Sequence, residues 1–214
     1  MKKLFLFLSL VSCAVIALAQ DAFFSAPIPD SVFQRMADVS FPVKAAAEAG
    51  LKRADLRYVR ILHYDFEGQV REGELVCHHS IAADLVDIFR QLYEARYPIA
   101  SVRLIDDFGA DDERSMQANN TSCFCFRPIQ GSTKLSKHAQ GLAIDLNPLQ
   151  NPCVRDRNGR RIVEPSTATP YVNRRRSFAH KINRSDLAYK LFVRHGFQWG
   201  GSWRTLKDYQ HFEK

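Results

Sequence analysis

Ser136-Lys137-His138-Ala139-Gln140-Gly141-Leu142-Ala143-Ile144-Asp145-Leu146-Asn147 sets an imidazole, His138, and a carboxylate, Asp145, seven residues apart around a glycine. Leu142 to Leu146 alternate as a short buried strand with Asp145 near its end, and Gly141 lets the chain turn tightly after His138. Two ligands can therefore converge on one ion. A catalytic zinc site needs a third protein ligand and an open position. Asp208-Tyr209-Gln210-His211-Phe212 offers a second carboxylate and imidazole in close sequence. His138, Asp145 and His211 are the expected metal ligands, with Zn2+ as the expected ion.

Outward from that stretch, Ser136-x-His138-x-x-Gly141-x-Ala143-x-Asp145 is followed by Trp199-Gly200-Gly201-Ser202-Trp203 and by Asp208-x-x-His211. The two separated patterns, in this order, resemble the VanY-like family of zinc peptidases, and a looser resemblance runs from roughly residue 30 to the end of the sequence. That family includes D-alanyl-D-alanine carboxypeptidases and L-alanyl-D-glutamate endopeptidases, which cut the peptide stems of bacterial peptidoglycan. Some members carry Glu where this chain has Asp208, and the endopeptidase-like members more often carry Asp, so the position leans towards that side. The resemblance implies that Asp208 is the general base, taking a proton from the attacking water and passing it to the leaving amine. The alternative is a carboxylate that only orients His211. It also implies a cationic side chain facing the scissile carbonyl or product carboxylate. Arg127, just upstream of the metal motif, suits that work because its fork binds carboxylate and stays charged; a structural salt bridge is the alternative. Ser136 either bonds substrate or shapes the loop before His138.

The chain of 214 residues is long enough for one domain with a real core, and 46% hydrophobic with 25% charged residues is ordinary globular composition. Lys2 and Lys3 precede an apolar run, and Ala17-Leu18-Ala19 offers small residues to a signal peptidase. Residues 1–20 are thus expected to be a signal peptide and residues 21–214 the zinc peptidase domain, exported to a periplasmic or extracellular location. Leu10-Val11-Ser12-Cys13 supports a competing lipoprotein reading in which Cys13 is lipidated. No later stretch approaches the ~20 apolar residues of a spanning helix. Loss of Lys2 and Lys3 with no acid lowers the formal charge from +7 to +5, a mild basicity compatible with anionic wall polymers. No nucleic-acid motif accompanies it, and a monomer is expected. Arg174-Arg175-Arg176 is the densest basic run and reads as a solvated loop. Cys77, Cys123, Cys125 and Cys153 allow three disulfide pairings or simple burial of each; Cys123 and Cys125 point to one face of an extended segment, from which one could reach Cys153.

Along the chain, Ser31-x-x-Gln34 resembles a capping box opening a short helix through Met36. Leu56 to His63 and Leu75 to Cys77 read as antiparallel strands, with His78 and His79 structural or surface residues. Ser80 is expected to cap a helix that turns Ile81, Leu85, Ile88, Phe89 and Leu92 to one face. Ala100 to Leu104 alternates as a strand. The acidic run Asp106 to Glu113 lacks the order of a calcium loop and reads as solvated. Residues 153–183 show little periodicity and read as a long loop, a candidate wall of the substrate cleft. Asn183-x-x-Asp186 opens a second helix with Leu187, Leu191 and Phe192 inward and Gly196 as its stop. His195, in its last turn, fits helix-end electrostatics. The expected fold class is α+β: a small antiparallel sheet carrying the zinc on one face, with helices 81–97 and 184–195 packed on the other.

Two functions compete. The first is an exported zinc peptidase hydrolysing peptidoglycan stem peptides; absence of His-Glu-x-x-His and Gly-x-Ser-x-Gly removes the helix-borne zinc peptidases and the serine hydrolases. The second is a zinc-stapled module that binds wall peptides without cutting them, a use the related Hedgehog fold makes thinkable. A binding module has no need of a carboxylate three residues before His211.

Overall fold

Two nine-residue strands, β2 (Leu56–Tyr64) and β3 (Val70–His78), build the longest ladder of the computed structural model, which describes residues 22–129 and 131–214. The expected signal peptide at 1–20 and the alternative lipoprotein reading of Cys13 lie outside the described residues. Before β2 come β1 (Phe24–Pro27), α1 (Asp30–Met36) and α2 (Val43–Glu48). β1, β2 and β3 form an antiparallel sheet in that order, with Leu56 opposite His78 and Tyr64 opposite Val70. The period-two pattern of β2 puts Val59, Ile61 and His63 on its buried face.

Against this face lies α3 (His79–Glu94), whose buried residues Ile81, Leu85, Ile88, Phe89 and Leu92 follow the helical period. Each such side chain contributes roughly 1.5–3 kcal/mol by leaving water. Its cap is His78 rather than Ser80: the His78 ring accepts the Ser80 backbone N–H at 3.2 Å. Serine sits one turn position too late, because the helix begins at His79. The box at Ser31 is likewise not formed; α1 starts at Asp30 behind Pro29, which has no side-chain acceptor.

Shorter elements follow: β4 (Ser101–Val102), α4 (Asp112–Gln117) and β5 (Asn120–Thr121). β4 and β5 pair in parallel, held by Asn120, whose side chain accepts the Arg103 N–H at 2.9 Å and donates to the Arg103 carbonyl at 3.0 Å. The acidic run is no solvated loop. Asp106 accepts the Ser40 N–H, Asp107 pairs with Arg35 and Arg103, Asp111 caps α4, and Asp112 pairs with Arg127.

The remaining strands are β6 (Ala143–Asp145), β7 (Cys153–Arg157), β8 (Arg160–Glu164), β9 (Gln198–Trp199), β10 (Lys207–Asp208) and β11 (His211–Glu213), with α5 (Leu187–Arg194) between β8 and β9. They make two further antiparallel sheets, ordered β10-β7-β8 and β6-β11-β9. The expected long loop therefore contains a hairpin, and a 3-10 segment over Ser166–Tyr171. Asn158 and Gly159 supply the two positive φ values, 51° and 73°, that a tight hairpin turn requires.

The α+β expectation holds with one refinement: the single small sheet is divided into separate three-stranded sheets. On β6 and β11 the alternation sends Asp145 and His211 one way and Ile144 and Phe212 the other. Phe212 stacks on Phe192 of α5 at 4.4 Å, in the same core cluster as the α3 residues. His195 joins the helices by facing Asp84 and Asp87 of α3, each at 3.1 Å. Cys77, Cys123, Cys125 and Cys153 are buried and free, so simple burial is the outcome and no bridge to Cys153 forms. Among the described residues no helix is long and apolar enough to cross a membrane.

Candidate metal centre

His138 opens a 3-10 turn, His138–Gln140, that Gly141 closes with φ 69°. A side chain at Gly141 is excluded twice over. The left-handed backbone disfavours it, and a Cβ would stand 2.6 Å from the His78 nitrogen, whose N–H donates to the Gly141 carbonyl at 2.8 Å. The turn is thereby pinned to the start of α3. The Ser136 hydroxyl is buried and accepts the His138 N–H at 3.2 Å, and the Ser136 N–H donates to the Arg127 carbonyl. Its observed bond shapes the loop before His138.

From the turn the chain enters β6, where Asp145 lies directly opposite His211 of β11. Opposed residues of antiparallel strands share a face, so strand register alone brings these two side chains together. His138 Nε2 lies 3.2 Å from Asp145 Oδ2 and 3.2 Å from His211 Nδ1, and His211 Nδ1 lies 3.0 Å from Asp145 Oδ1. One donor atom from each residue falls within 4.8 Å of the others, and all three residues are buried.

The outer ring nitrogens fix what the inner ones offer. His138 Nδ1 lies 2.6 Å from the Cys123 carbonyl, which can only accept, so that nitrogen carries the proton. His211 Nε2 lies 3.2 Å from Glu213 Oε2, and the bond to His211 lowers the Glu213 carboxyl, keeping it an acceptor. With both outer nitrogens donating, each ring in its neutral form, the form that binds a metal, turns a lone pair inward towards the Asp145 carboxylate. Two inward nitrogens and an anion at these distances suit a positive charge between them, a metal ion or, without one, a proton on an imidazole. The electrostatics show how strongly the pocket favours positive charge beside Asp145. Burial opposes charge on His211, yet its bonds to Asp145 and Glu213 push it up to about 10. Burial would raise Asp145, yet His138 and His211 hold it far below the carboxylate range. The donor set, two imidazoles and a carboxylate, fits zinc.

Asp208 is not one of the converging donors. It arrives on β10, opposite Cys153 of β7, and its Oδ1 is shut off from solvent with no hydrogen-bond partner. Burial pushes its carboxyl up to about 7; His211 and His138 draw it down, and Asp145 adds to the rise. Gly200, in the turn after β9, lets the backbone of Asp208 pass: a Cβ there would lie 2.7 Å from the Asp208 carbonyl and 2.8 Å from its Cβ. Trp203 stands beside His211, its ring centroid 5.2 Å away.

Arg127 pairs with Asp112 at 2.5 Å. Burial works against its charge, but Asp112, Cys125, Asp145 and Asp208 raise its pKa, so a guanidinium sits in the field of the site's acids. Its Nε is buried without a partner. Sequence reasoning did not single out Glu213, Asp112 or the Cys123 carbonyl. Glu213 carries a usable signal, since it lies two residues after His211 on a strand and hence on the same face. Asp112 lay hidden in an acidic run, and a backbone carbonyl leaves no trace in sequence.

Residues 130–214 match the family model described as D-alanyl-D-alanine carboxypeptidase. The matched segment holds Ser136, His138, Asp145, Asp208 and His211, whereas Arg127 and Asp112 lie before it. Neither the curated proteins nor the solved structures give a match.

Proposed function

We propose that the chain is an exported zinc-dependent peptidase that hydrolyses amide bonds in peptidoglycan stem peptides, with His138, Asp145 and His211 as zinc ligands. The observation that carries the reading is the inward convergence of two imidazole lone pairs and a carboxylate, beside a buried carboxylate oxygen on Asp208 that has no partner. The match over residues 130–214 supports the substrate class, as a D-alanine-bearing wall peptide. Export rests on the leader at 1–20.

Zinc held there supplies a Lewis acid that acidifies water and polarises a carbonyl. The chain's own groups do the rest. Asp208 Oδ1 accepts a proton from the attacking water and returns it to the amine as the amide C–N bond breaks. A carboxyl displaced towards neutrality serves both halves of that transfer, since an acid–base group works best with a pKa near the working pH. Arg127 faces the carbonyl oxygen or the carboxylate of the peptide. His138 and His211 are held in one tautomer by Cys123 and Glu213, so they bind the ion without reorganising. Asp208 also favours catalysis over binding alone, because a carboxyl oxygen buried without a hydrogen-bond partner is costly to a fold that has no use for it.

The test is digestion of purified muropeptides with mass-spectrometric readout. Loss of a terminal D-alanine marks the carboxypeptidase, and release between L-alanine and D-glutamate marks the endopeptidase. Asp208→Ala is expected to keep its zinc and lose on the order of 10²- to 10⁴-fold in rate. A variant that is metal-loaded and cuts at the normal rate removes Asp208 from the mechanism, and a zinc-loaded unmodified protein that leaves every muropeptide intact removes the peptidase reading.

A further inference from the structure

The sheet β10-β7-β8 has two faces, and strand register assigns its residues to them. Asp208 is opposite Cys153, which is opposite Glu164; Lys207 is opposite Val154, which is opposite Val163. Opposed residues share a face and neighbours alternate, so Val163 and Arg161 lie on the face turned away from Asp208. That far face lines a groove of about 960 Å³, completed by Thr169, Val172, Asn173, Arg174, Arg175 and Tyr209.

Arg174 is built into this wall, against the expectation of a solvated loop. Its guanidinium donates to the carbonyls of Gln150 at 2.6 Å and Ile182 at 2.9 Å, and to Asn151 Oδ1 at 3.0 Å. It lies over the ring of Tyr209 at 4.3 Å and near that of Phe178 at 5.0 Å. All these partners are neutral. Among the described residues no carboxylate pairs with Arg174 or Arg175, and from residue 165 to residue 185 the sequence contains no acid at all. Asp156, paired with Arg161 at 3.1 Å, is the acid at the rim. Held cations without counter-charge are costly to bury; Arg127 and Arg155 are paired with Asp112 and Glu164, whereas among the described residues Arg57 and Arg90, like Arg174, bond only neutral acceptors, and Arg174 differs from those two in lining a groove beside a second unpaired arginine.

We infer that this groove is a second binding site, separate from the metal centre, for an oxyanion, a carboxylate or phosphate, carried on a polar ligand. Arg174, its donors largely taken up by Gln150, Asn151 and Ile182, sets a fixed positive charge in the wall, Arg175 and Arg161 add charge at the rim, and Thr169 and Asn173 supply neutral hydrogen bonds to the ligand's body. The exposed fork of Arg175, which no carboxylate pairs among the described residues, suits both oxyanions. The site does not depend on the peptidase reading.

The experiment titrates the full, zinc-loaded chain with inorganic phosphate and, separately, with glutarate, at constant ionic strength set by sodium chloride. Backbone amide resonances are followed by NMR. Expected are saturable shifts of Thr169, Val172, Asn173 and Tyr209 with at least one of the two anions, the stronger response naming the source. Arg174→Gln is expected to weaken binding by about tenfold or more, as loss of a charged hydrogen-bond partner does. Should Arg174→Gln not fold, the rim double variant Arg161→Gln/Arg175→Gln, exposed and free of core contacts, is expected to show the same direction of change. Shifts that grow linearly, as with chloride alone, shifts confined to residues around His138 and His211, or a folded variant that binds as the unmodified protein does, overturn the site.

Discussion

The roles of His138 and His211 depend on atoms outside the triangle they form. A carbonyl behind His138 and a carboxylate behind His211 decide which ring nitrogens face inward. Glu213→Ala should therefore weaken zinc by ~10- to 100-fold, as removal of such outer partners does, while the melting curve of the zinc-saturated protein changes little. Competition with a chromogenic chelator measures it. Gly200→Ala should act on the other half of the site. Its Cβ collides with Asp208 and, less closely, crowds the Cβ of His211 at 3.3 Å, so activity at saturating zinc should fall and stability drop by about 1–3 kcal/mol, with zinc affinity reduced less than activity. Much of this was legible in the sequence at single-residue resolution: His138 and Asp145 flank Gly141, and His211 follows Asp208, in patterns that name their chemistry. The tautomer-setting partners were less so: one is a main-chain oxygen, and the other, Glu213, is placed beside His211 by strand alternation alone, a signal available only once the three-residue β11 is taken as a strand.

Among the elements, the hairpin β7–β8 matters most for the site, because β10 pairs to its outer edge and carries Asp208 there. Its signal, Asn158-Gly159 between two runs able to extend, was present but submerged in seven arginines between residues 155 and 176. Charge masked the alternation that marks a strand. The turn chemistry gives a prediction: Gly159→Ala, at φ 73°, should cost about 1–2 kcal/mol. Its effect on peptide cleavage should exceed its effect on zinc binding, since the hairpin supports Asp208 and not the ligands. Parallel measurements of rate and zinc affinity separate the two. The helix α3 was legible nearly whole, as periodicity over sixteen residues outweighs any local ambiguity; only its cap was misplaced, by a histidine that sequence preference does not rank as a cap. Phe89→Ala, in the centre of that helix and fully buried, should lose about 3–5 kcal/mol in urea denaturation.

At the level of the whole molecule, acid stability follows from His63. It is buried on β2, donates from Nδ1 to the Ile99 carbonyl at 2.9 Å, and burial lowers its pKa from 6.5. Below about pH 6.5 the unfolded chain therefore takes up a proton that the folded chain refuses. The contribution is intact above that value and is lost as pH falls through 6.5 towards the folded pKa. His63→Gln should flatten this part of the stability curve, seen as a smaller difference between urea midpoints at pH 7.5 and pH 5.5. The four buried thiols give the molecule a different use. Burial raises the pKa of each, and only a thiolate reacts with alkylating reagents, so in the closed fold all four are silent. Each becomes a clock for the opening of its own neighbourhood: Cys77 for the long ladder, Cys123 and Cys125 for the segment behind His138, Cys153 for the strand beside Asp208. If Cys153 is alkylated far sooner than Cys77, the edge that carries Asp208 lifts and recloses many times in the life of a single folded molecule.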